Sequence, residues 1–375
     1  MNERAYFERL STSAETPADL FEHFETRTHG DRTYHAMPSA HHDVERGTVV
    51  VPDADAVVRG YPSVPRVLVL DPGVESFFAA DERVAVEEKL DGFNVRIVDL
   101  GEPLAFTRGG YVCPYTTGRA RARLDLSSFF ADHPERMLCA ELVGPETPYT
   151  SHDYDDVDSH AFRVFDVRDR ESGEPLPVER RRDCCAAYGF DQPRLFGWVD
   201  PAAAVETVRE AIDHLDDAGR EGVVLKAADA TSMVKYTTES QHHDELAYAF
   251  SLPFDYGRDF VFSRVVREVF QAAEFDGSEE RRRERAHALG EAILLPMVET
   301  IDDVSRGETV GERQTVRGPP DEVDALFDHL REQSLTLDVA SDRRTDGERV
   351  VEFVKVSEST QDRIQYYLEG GTRDE

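Results

Sequence analysis

The spacing of apolar positions changes twice along the chain. From Val84 to Thr107, VAVEEKLDGFNVRIVDL, the turn Gly101-Glu102-Pro103 and LAFT form two apolar-rich runs about a Gly-containing turn, which predicts a hairpin. RMLCAELVG (136–144), SHAFRVFDVRD (159–169), EGVVLKAA (221–228) and TSMVKYTT (231–238) predict further strands. So do GTVVVPDA and VPRVLVLD (64–71), the latter closed by Pro72-Gly73. VERRRDCCAAYG (178–189) and PAAAVETVREAIDHLDDAG (201–219) predict helices, with Pro201 in a first turn and Gly219 as a stop.

Near residue 240 the period becomes helical. QHHDELAYAF is followed by DFVFSRVVREVFQAA, whose Phe262, Val265, Val266, Val269 and Phe270 share one stripe. A long helix is predicted from Ser278, opened by the cap-like SEER, to about Ser305, with Pro296 kinking or dividing it. From 313 onward the order is helix (PPDEVDALFDHLREQS), strand (LTLDVA), a turn at Asp346-Gly347, strand (RVVEFVKVS) and helix (TQDRIQYYLEGG). The expectation is an α+β fold in four parts, 1–63, 64–240, 241–312 and 313–375.

Composition narrows the class. No apolar run approaches the ~18 residues of a membrane span, and the charged start MNERAYFERLSTSAE lacks the apolar core of a secretory signal. Cys113, Cys139, Cys184 and Cys185 form no CxxC pair, so neither a disulfide framework nor a structural zinc site is expected. A soluble, cytoplasmic protein is expected, with no membrane partner. The chain carries 76 Asp+Glu against 43 Lys+Arg, a formal charge of −33, and the acid is spread along its whole length. Such self-repulsion is screened at molar salt, where the Debye length is about 3 Å. The acid-rich, arginine-retaining composition therefore suggests a halophile's salt-loaded cytoplasm rather than an ordinary acidic protein. A global bias of this kind does not argue against a nucleic-acid partner.

Lysine is the scarce residue. Only Lys89, Lys226, Lys235 and Lys355 occur, and the other 39 basic residues are arginine. Lys89 stands in EKLDGFNVR (88–96), a lysine between two strands followed by x-Asp-Gly. That is what a covalent nucleotide carrier needs, with a fixed amine able to lose its proton and attack phosphorus. The alternative is a surface lysine beside a turn. In EGVVLK (221–226) and VKYTT (234–238), Glu221 could help hold a divalent cation while Lys226 and Lys235 meet phosphate oxygens. Arginine dominates elsewhere, so these positions suggest a need for an amine specifically.

The ordered set KLDG (89–92), TRGG (107–110), CAELVG (139–144), FRVFD (162–166), EGVVLK and VKY (234–236) resembles the covalent nucleotidyltransferase superfamily of ATP-dependent DNA and RNA ligases and capping enzymes. Asn94, where DNA ligases usually carry arginine, is similar to RNA-joining enzymes. AFTRGGYVCPYTTGRARARL resembles the archaeal homodimeric RNA ligases that circularise single-stranded RNA. The resemblance implies a nucleotidyltransferase (ATP-grasp-like ligase) domain of antiparallel sheets at 64–240. Around it would lie a small N-terminal domain, a helical dimerisation domain and a small α+β C-terminal domain. It also implies roles. Lys89 would carry AMP, and Arg108 would contact the nucleotide or the RNA 5′-phosphate. Glu141 would bind ribose or metal, and Glu221 would be the principal metal carboxylate. Glu88, Asp91, Gly92 and Asn94 would line the nucleotide site. Phe162 or Phe165 would stack on adenine; three apart on a strand they face opposite ways, and Phe162 is favoured with the other in the core. Lys235 would contact the α-phosphate region. The usual second lysine of the last motif is absent here, so Lys226 would supply the second amine or the phosphate contacts would be fewer.

The implied cofactors are ATP and Mg2+ (or Mn2+), and the implied substrate is single-stranded RNA with 5′-phosphate and 3′-OH ends. The expected reaction proceeds through lysyl-AMP and RNA-adenylate. The rivals are a DNA ligase or capping-type nucleotidyltransferase, and a non-catalytic RNA-end-binding dimer.

Other candidates are weighed locally. Arg119, Arg121 and Arg123 alternate, so a strand would put them on one face, tracking RNA or simply solvated. Arg180–Arg182 and Arg281–Arg283 read as solvated helix faces. Cys184-Cys185 reads as core. His41-His42 and His242-His243 lack a further ligand at metal spacing in the sequence.

Overall fold

The computed structural model describes residues 2–150 and 152–372. At the N-terminus, α1 (Glu3–Arg9) and α2 (Pro17–Phe21) precede an antiparallel meander, β1 (Glu25–His29), β2 (Arg32–Ala36), β3 (Val49–Val51) and β4 (Ala56–Val58). One face of this sheet (Tyr34, Val49, Val51, Val58) packs on Val98, Leu104 and Phe106 of the central region, and the other covers Tyr6, Leu10 and Leu20.

The segment 64–71 corrects one expectation. Only Arg66 makes a strand bridge, to Lys235, and helix α3 begins at Leu70 and runs to Phe77. Val67, Leu70, Val74 and Phe78 recur every three or four residues and all enter one core, so the helical period wins over the apolar run. Pro72 falls in the first helical turn, where its missing N–H costs nothing.

The central region holds two four-stranded antiparallel sheets. β5 (Val84–Lys89), β10 (Leu195–Val199), β11 (Gly222–Ala227) and β12 (Met233–Thr237) take the order β10-β5-β11-β12. β6 (Phe93–Asp99), β7 (Pro103–Thr107), β8 (Arg136–Val143) and β9 (Ala161–Asp169) take the order β7-β6-β8-β9. Register places Gly222 beside Lys89, with Val224 between Glu87 and Lys235. One face of the first sheet therefore carries Glu87, Lys89, Lys226 and Lys235. The other buries Val84, Val86, Val223, Leu225 and Val234 against α3 and α7 (Pro201–Asp217). In the second sheet Asn94 lies beside Glu141.

The helices between the strands are α4 (Pro114–Arg123), α5 (Leu126–Asp132) and α6 (Val178–Ala187). The arginines of α4 thus stand on a helix, with Pro114 at its first position and the Cys113 Sγ accepting from the Thr116 N–H. Arg119 is buried on Glu322 (2.5 Å) and Glu348, and Arg121 is held by Glu102 (2.8 Å). The arginines therefore share no strand face, and carboxylates engage Arg119 and Arg121.

After β12 come α8 (Glu239–Ser251), α9 (Arg258–Phe275) and α10 (Glu279–Ser305). Ser278 caps α10 through the Arg281 N–H, and the helix continues through Pro296 without interruption. The stripe expected on α9 does not face this chain's core: Phe262 is 63% and Val269 58% exposed, while Glu268 and Gln271 are buried. Lastly β13 (Gly311–Gly318), α11 (Pro320–Glu332), β14 (Leu337–Thr345), β15 (Glu348–Val356) and α12 (Glu358–Leu368) form a sheet of order β13-β15-β14 with two helices. Val316, Leu326, Phe327 and Phe353 share one core with Val95, Ile97 and Tyr115, so this unit is packed onto the second central sheet. Among the described residues, no helix is long and apolar enough to cross a membrane.

Candidate active site

The polar faces of the two central sheets enclose a cleft lined by Tyr61, Glu87, Glu88, Lys89, Asn94, Arg108, Glu141, Phe165, Lys226 and Lys235 among others. Cations, carboxylates and aromatic rings converge there, the chemistry that a nucleotide's phosphates, metal and base call for.

Lys89 ends β5, and its ammonium donates to Glu221, which immediately precedes β11. The lysine side chain is 23% exposed and the carboxylate 9%. Burial pushes the Lys89 pKa down, but Glu221 and Glu141 outweigh it and the net shift is upward. Lys89 is therefore protonated until the surrounding negative charge is neutralised. Burial first, then Glu221 and Asp91, push Glu141 up to about 8 against the opposing pull of Lys89. Lys235 is lowered to about 8 by burial and by the neighbouring cations Lys89 and Arg66.

Gly92 is required where it stands: a Cβ there would fall 2.5 Å from the Leu142 carbonyl oxygen. Gly222, at φ +145°, would put a Cβ 2.3 Å from the Tyr236 carbonyl oxygen. Two neighbouring strands can thus lie flush beneath the lysine.

Strand β9 separates the phenylalanines, and a bulge lies at one of them. Ala140 pairs with Val164 and Cys139 with Asp166, leaving Phe165 as the extra residue. Phe165 turns into the cleft, edge-on to Tyr61 with centroids 5.2 Å apart. Phe162 is 3% exposed, packed in the core on the far side of the sheet. The two do face opposite ways, and it is Phe165 that lines the cleft while Phe162, the residue favoured from the sequence, lies in the core.

Lys226 lines the cleft while already donating to the Phe165 carbonyl (2.8 Å) and lying 3.1 Å from Glu87. Of its three donors one is left for a ligand. Asn94 Oδ1 is buried and accepts no hydrogen bond among the described residues, an open acceptor in the cleft wall. A nucleotide, with hydroxyl and amine donors, fits that vacant acceptor. A divalent cation fits the oxygen donors Glu141 and Glu221, whose pKa values are both raised by burial and then by neighbouring carboxylates, Glu221 and Asp91 for Glu141, Asp91 and Glu245 for Glu221.

Asp91 and Gly92 lie in the turn beyond the cleft floor. That turn is clasped by residues which the sequence did not flag. Tyr154 Oη accepts from the Asp91 N–H (2.9 Å) and donates to the Asp91 carbonyl (3.1 Å), and His152 Nε2 lies 2.9 Å from the Asp91 carboxylate. Arg220 stacks on the Tyr154 ring at 3.6 Å and reaches toward Glu88 (3.7 Å). Both Tyr154 and His152 sit in an irregular loop with no period to read.

His242 and His243 do find a carboxylate, Glu268 on α9, at 2.9 and 3.0 Å. Glu239, His243 and Glu268 are close enough to share an ion. The Arg285 guanidinium already lies 3.0 Å from Glu268 and 2.8 Å from Glu239, and supplies the positive charge a metal would bring.

Comparison with known proteins agrees with this geometry. The family described as RNA ligase matches residues 82–237, and the one described as Ligase Pab1020 C-terminal region matches 248–371. An uncharacterized protein of Methanocaldococcus jannaschii is 40% identical over 339 residues, which cover 87% of this chain and 85% of the relative. The solved structure titled archaeal ATP-dependent RNA ligase, form 1, superposes with a TM-score of 0.91 at 39% identity, covering 100% of both chains. A structure titled putative ATP-dependent DNA ligase, from Aquifex aeolicus, gives 0.86 at 23% identity over 94% of this chain and 97% of that one, a likeness of fold.

Proposed function

We infer the chemistry from one premise: the chain belongs to the family of archaeal ATP-dependent RNA ligases. Its activity is ATP-dependent ligation of RNA. The observation that carries this reading is Lys89, held by Glu221 at the junction of two sheets and sharing one cleft with Glu141, Phe165 and Lys235.

In the first step the Lys89 Nζ loses a proton and attacks the α-phosphorus of ATP, and pyrophosphate leaves. Glu221 accepts the Lys89 hydrogen bond and is the nearest proton acceptor. Lys235 and the free donor of Lys226 face the α-phosphate, Phe165 stacks on adenine, and Asn94 Oδ1 accepts from the nucleotide. Arg108 receives the RNA 5′-phosphate. AMP then passes from Lys89 to that phosphate, and the RNA 3′-OH displaces AMP. A divalent cation, magnesium or manganese, would be held by Glu141 and Glu221, where it would lower the charge on the phosphates. Glu88, Asp91 and Gly92 shape the turn that carries Lys89.

The substrate is single-stranded RNA with 5′-phosphate and 3′-OH ends, circularised when both ends belong to one molecule. Two copies associate through the helical part, 241–312, between a small N-terminal part (1–63) with the catalytic part (64–240) and the α+β part (313–375). The exposed Phe262 and Val269 on α9, with Leu294 and Val298 on α10, support this, because four large apolar side chains on adjacent helices need a cover. The charge of −33 supports work in a halophile's salt-rich cytoplasm.

The test offers ATP, magnesium or manganese, and a 5′-phosphorylated single strand of RNA or DNA at molar KCl. Closed RNA circles resistant to phosphatase are expected. Sealing of DNA alone, or covalent labelling from GTP alone, would favour the DNA-ligase or capping rival.

A further inference from the structure

Beyond Lys235 the cations continue. Arg66 is tied to β12 by the Val67 N–H on the Lys235 carbonyl (3.1 Å) and the Lys235 N–H on the Pro65 carbonyl (2.9 Å). As bridge partners, Arg66 and Lys235 send their side chains to the same face. The Arg66 guanidinium donates to the Thr237 hydroxyl. Across from it on α9, Arg264 and Arg267 both close on Glu245 of α8, at 2.5 and 3.0 Å. These side chains are 16–19% exposed, covered enough to strengthen their fields and open enough to be reached.

Charge does not balance along this line. Arg66 is lowered to about 10 by burial and then by Arg267, and Lys235 is lowered by burial, Lys89 and Arg66. The surroundings of Lys89 itself are negative, from Glu221, Glu141 and Asp91. Beyond it four cations (Lys235, Arg66, Arg264 and Arg267) run to the helical part, and Glu245 is the carboxylate paired with the two α9 arginines. In a chain of net charge −33, such a local excess of cations marks a place for an anion.

We propose that Arg66, Arg264 and Arg267 form the subsite for the β- and γ-phosphates of ATP and hold pyrophosphate as it leaves, with Glu245 occupying the α9 arginines until nucleotide arrives. The inference rests on the lysyl-AMP reading above. An N–P bond forms at Lys89 as the bond from the α-phosphorus to the bridging oxygen breaks. Pyrophosphate keeps the electron pair, and the Lys89 proton passes to Glu221. In an in-line displacement the leaving group departs on the side opposite the nucleophile. Lys235 flanks Lys89 and Arg66 flanks Lys235, so the triphosphate tail runs toward α9. The helical part would thus complete the site for the first step, while sealing of RNA that already carries AMP would not need it.

The experiment uses the full chain at molar KCl and compares two reactions: covalent labelling from α-labelled ATP, and sealing of pre-adenylylated RNA. In Arg264→Ala/Arg267→Ala the KM for ATP and the inhibition constant of added pyrophosphate should each rise at least ~10-fold, the loss expected for charge-assisted hydrogen bonds. Sealing should fall at least ~10-fold less than labelling. Equal losses in both reactions would assign the arginines to the RNA backbone and overturn the proposal, as would no change in either. A wild type that forms no label would instead remove the ligase reading itself. Pyrophosphate should also raise the Tm of wild type, and raise it further in Glu245→Gln. Protection that is unchanged or weaker in Glu245→Gln would overturn the role given to Glu245 even if the arginine variant folds poorly.

Discussion

Two glutamate–lysine pairs share one face of the first central sheet, and they are opposites. Glu87 is 1% exposed and meets three cations, Arg181, Arg182 (3.0 Å) and Lys226 (3.1 Å). Burial alone would raise its pKa, yet Lys226 and Arg181 bring it down to about 2. Two residues on, Lys89 is, among the described residues, the single cation bonded to Glu221, with Glu141 and Asp91 adding further negative charge. There the balance runs the other way, and Glu141 is pushed up to about 8. The lesson is that residue type does not separate structure from chemistry here. A carboxylate saturated with cations braces the sheet, and carboxylates short of cations are the ones proposed to take a metal and a nucleotide.

The largest expected contrast is between these two carboxylates. Glu87→Ala would strand Arg181 and Lys226 in the interior and cost about 3–5 kcal/mol in denaturant unfolding. Glu221→Gln should leave the denaturation midpoint near that of wild type, while covalent labelling from ATP falls at least ~100-fold. A larger stability loss from Glu221→Gln than from Glu87→Ala would break the comparison. The phenylalanines sharpen it in the same way. Phe162→Ala should cost ~3–5 kcal/mol with little change in the KM for ATP, and Phe165→Ala should raise that KM about tenfold at a smaller stability cost. The reverse would return adenine to Phe162.

A smaller effect appears with pH. Glu141 binds its proton more tightly folded than unfolded, so its contribution to stability is complete below its ordinary pKa of 4.5 and is lost as pH rises toward about 8. Metal-free wild type should therefore lose stability relative to Glu141→Gln between pH 5 and 8, measured as a difference in Tm. Divalent-ion affinity should climb over the same range as the proton is displaced. A flat difference curve would mean that Glu141 is already ionised. The smallest effect belongs to Tyr154→Phe, which removes both hydrogen bonds to Asp91. A stability loss of about 1 kcal/mol is expected, with labelling slowed several-fold as the Lys89 turn loosens. Labelling that stays at the wild-type rate would show the clasp to be dispensable.

Most of the central strands were legible because each is a short apolar-rich run bounded by turn residues, as VAVEEK is by Asp91-Gly92, whereas β10 was not flagged. Lysine scarcity pointed to the cleft, since three of the four lysines are placed along its walls. Other features depend on long-range contacts. α4 was missed because its arginines alternate while its buried side chains answer to α11 and the last sheet. The choice of Phe165 needed to know which face of β9 meets the cleft, which tertiary packing alone reveals. Tyr154, His152 and Arg66 act across loops, and Glu268 reaches His242 and His243 from another helix, so no local spacing announces them.

The central claim is that Lys89 carries AMP, and covalent labelling tests it most directly. With α-labelled ATP and magnesium at molar salt, wild type should take up label that is stable to alkali, labile to acid and released by pyrophosphate, and peptide mapping should find the adduct on Lys89. Lys89→Ala should take up none. Label that persists in Lys89→Ala, or that maps to Lys226 or Lys235, would contradict the account.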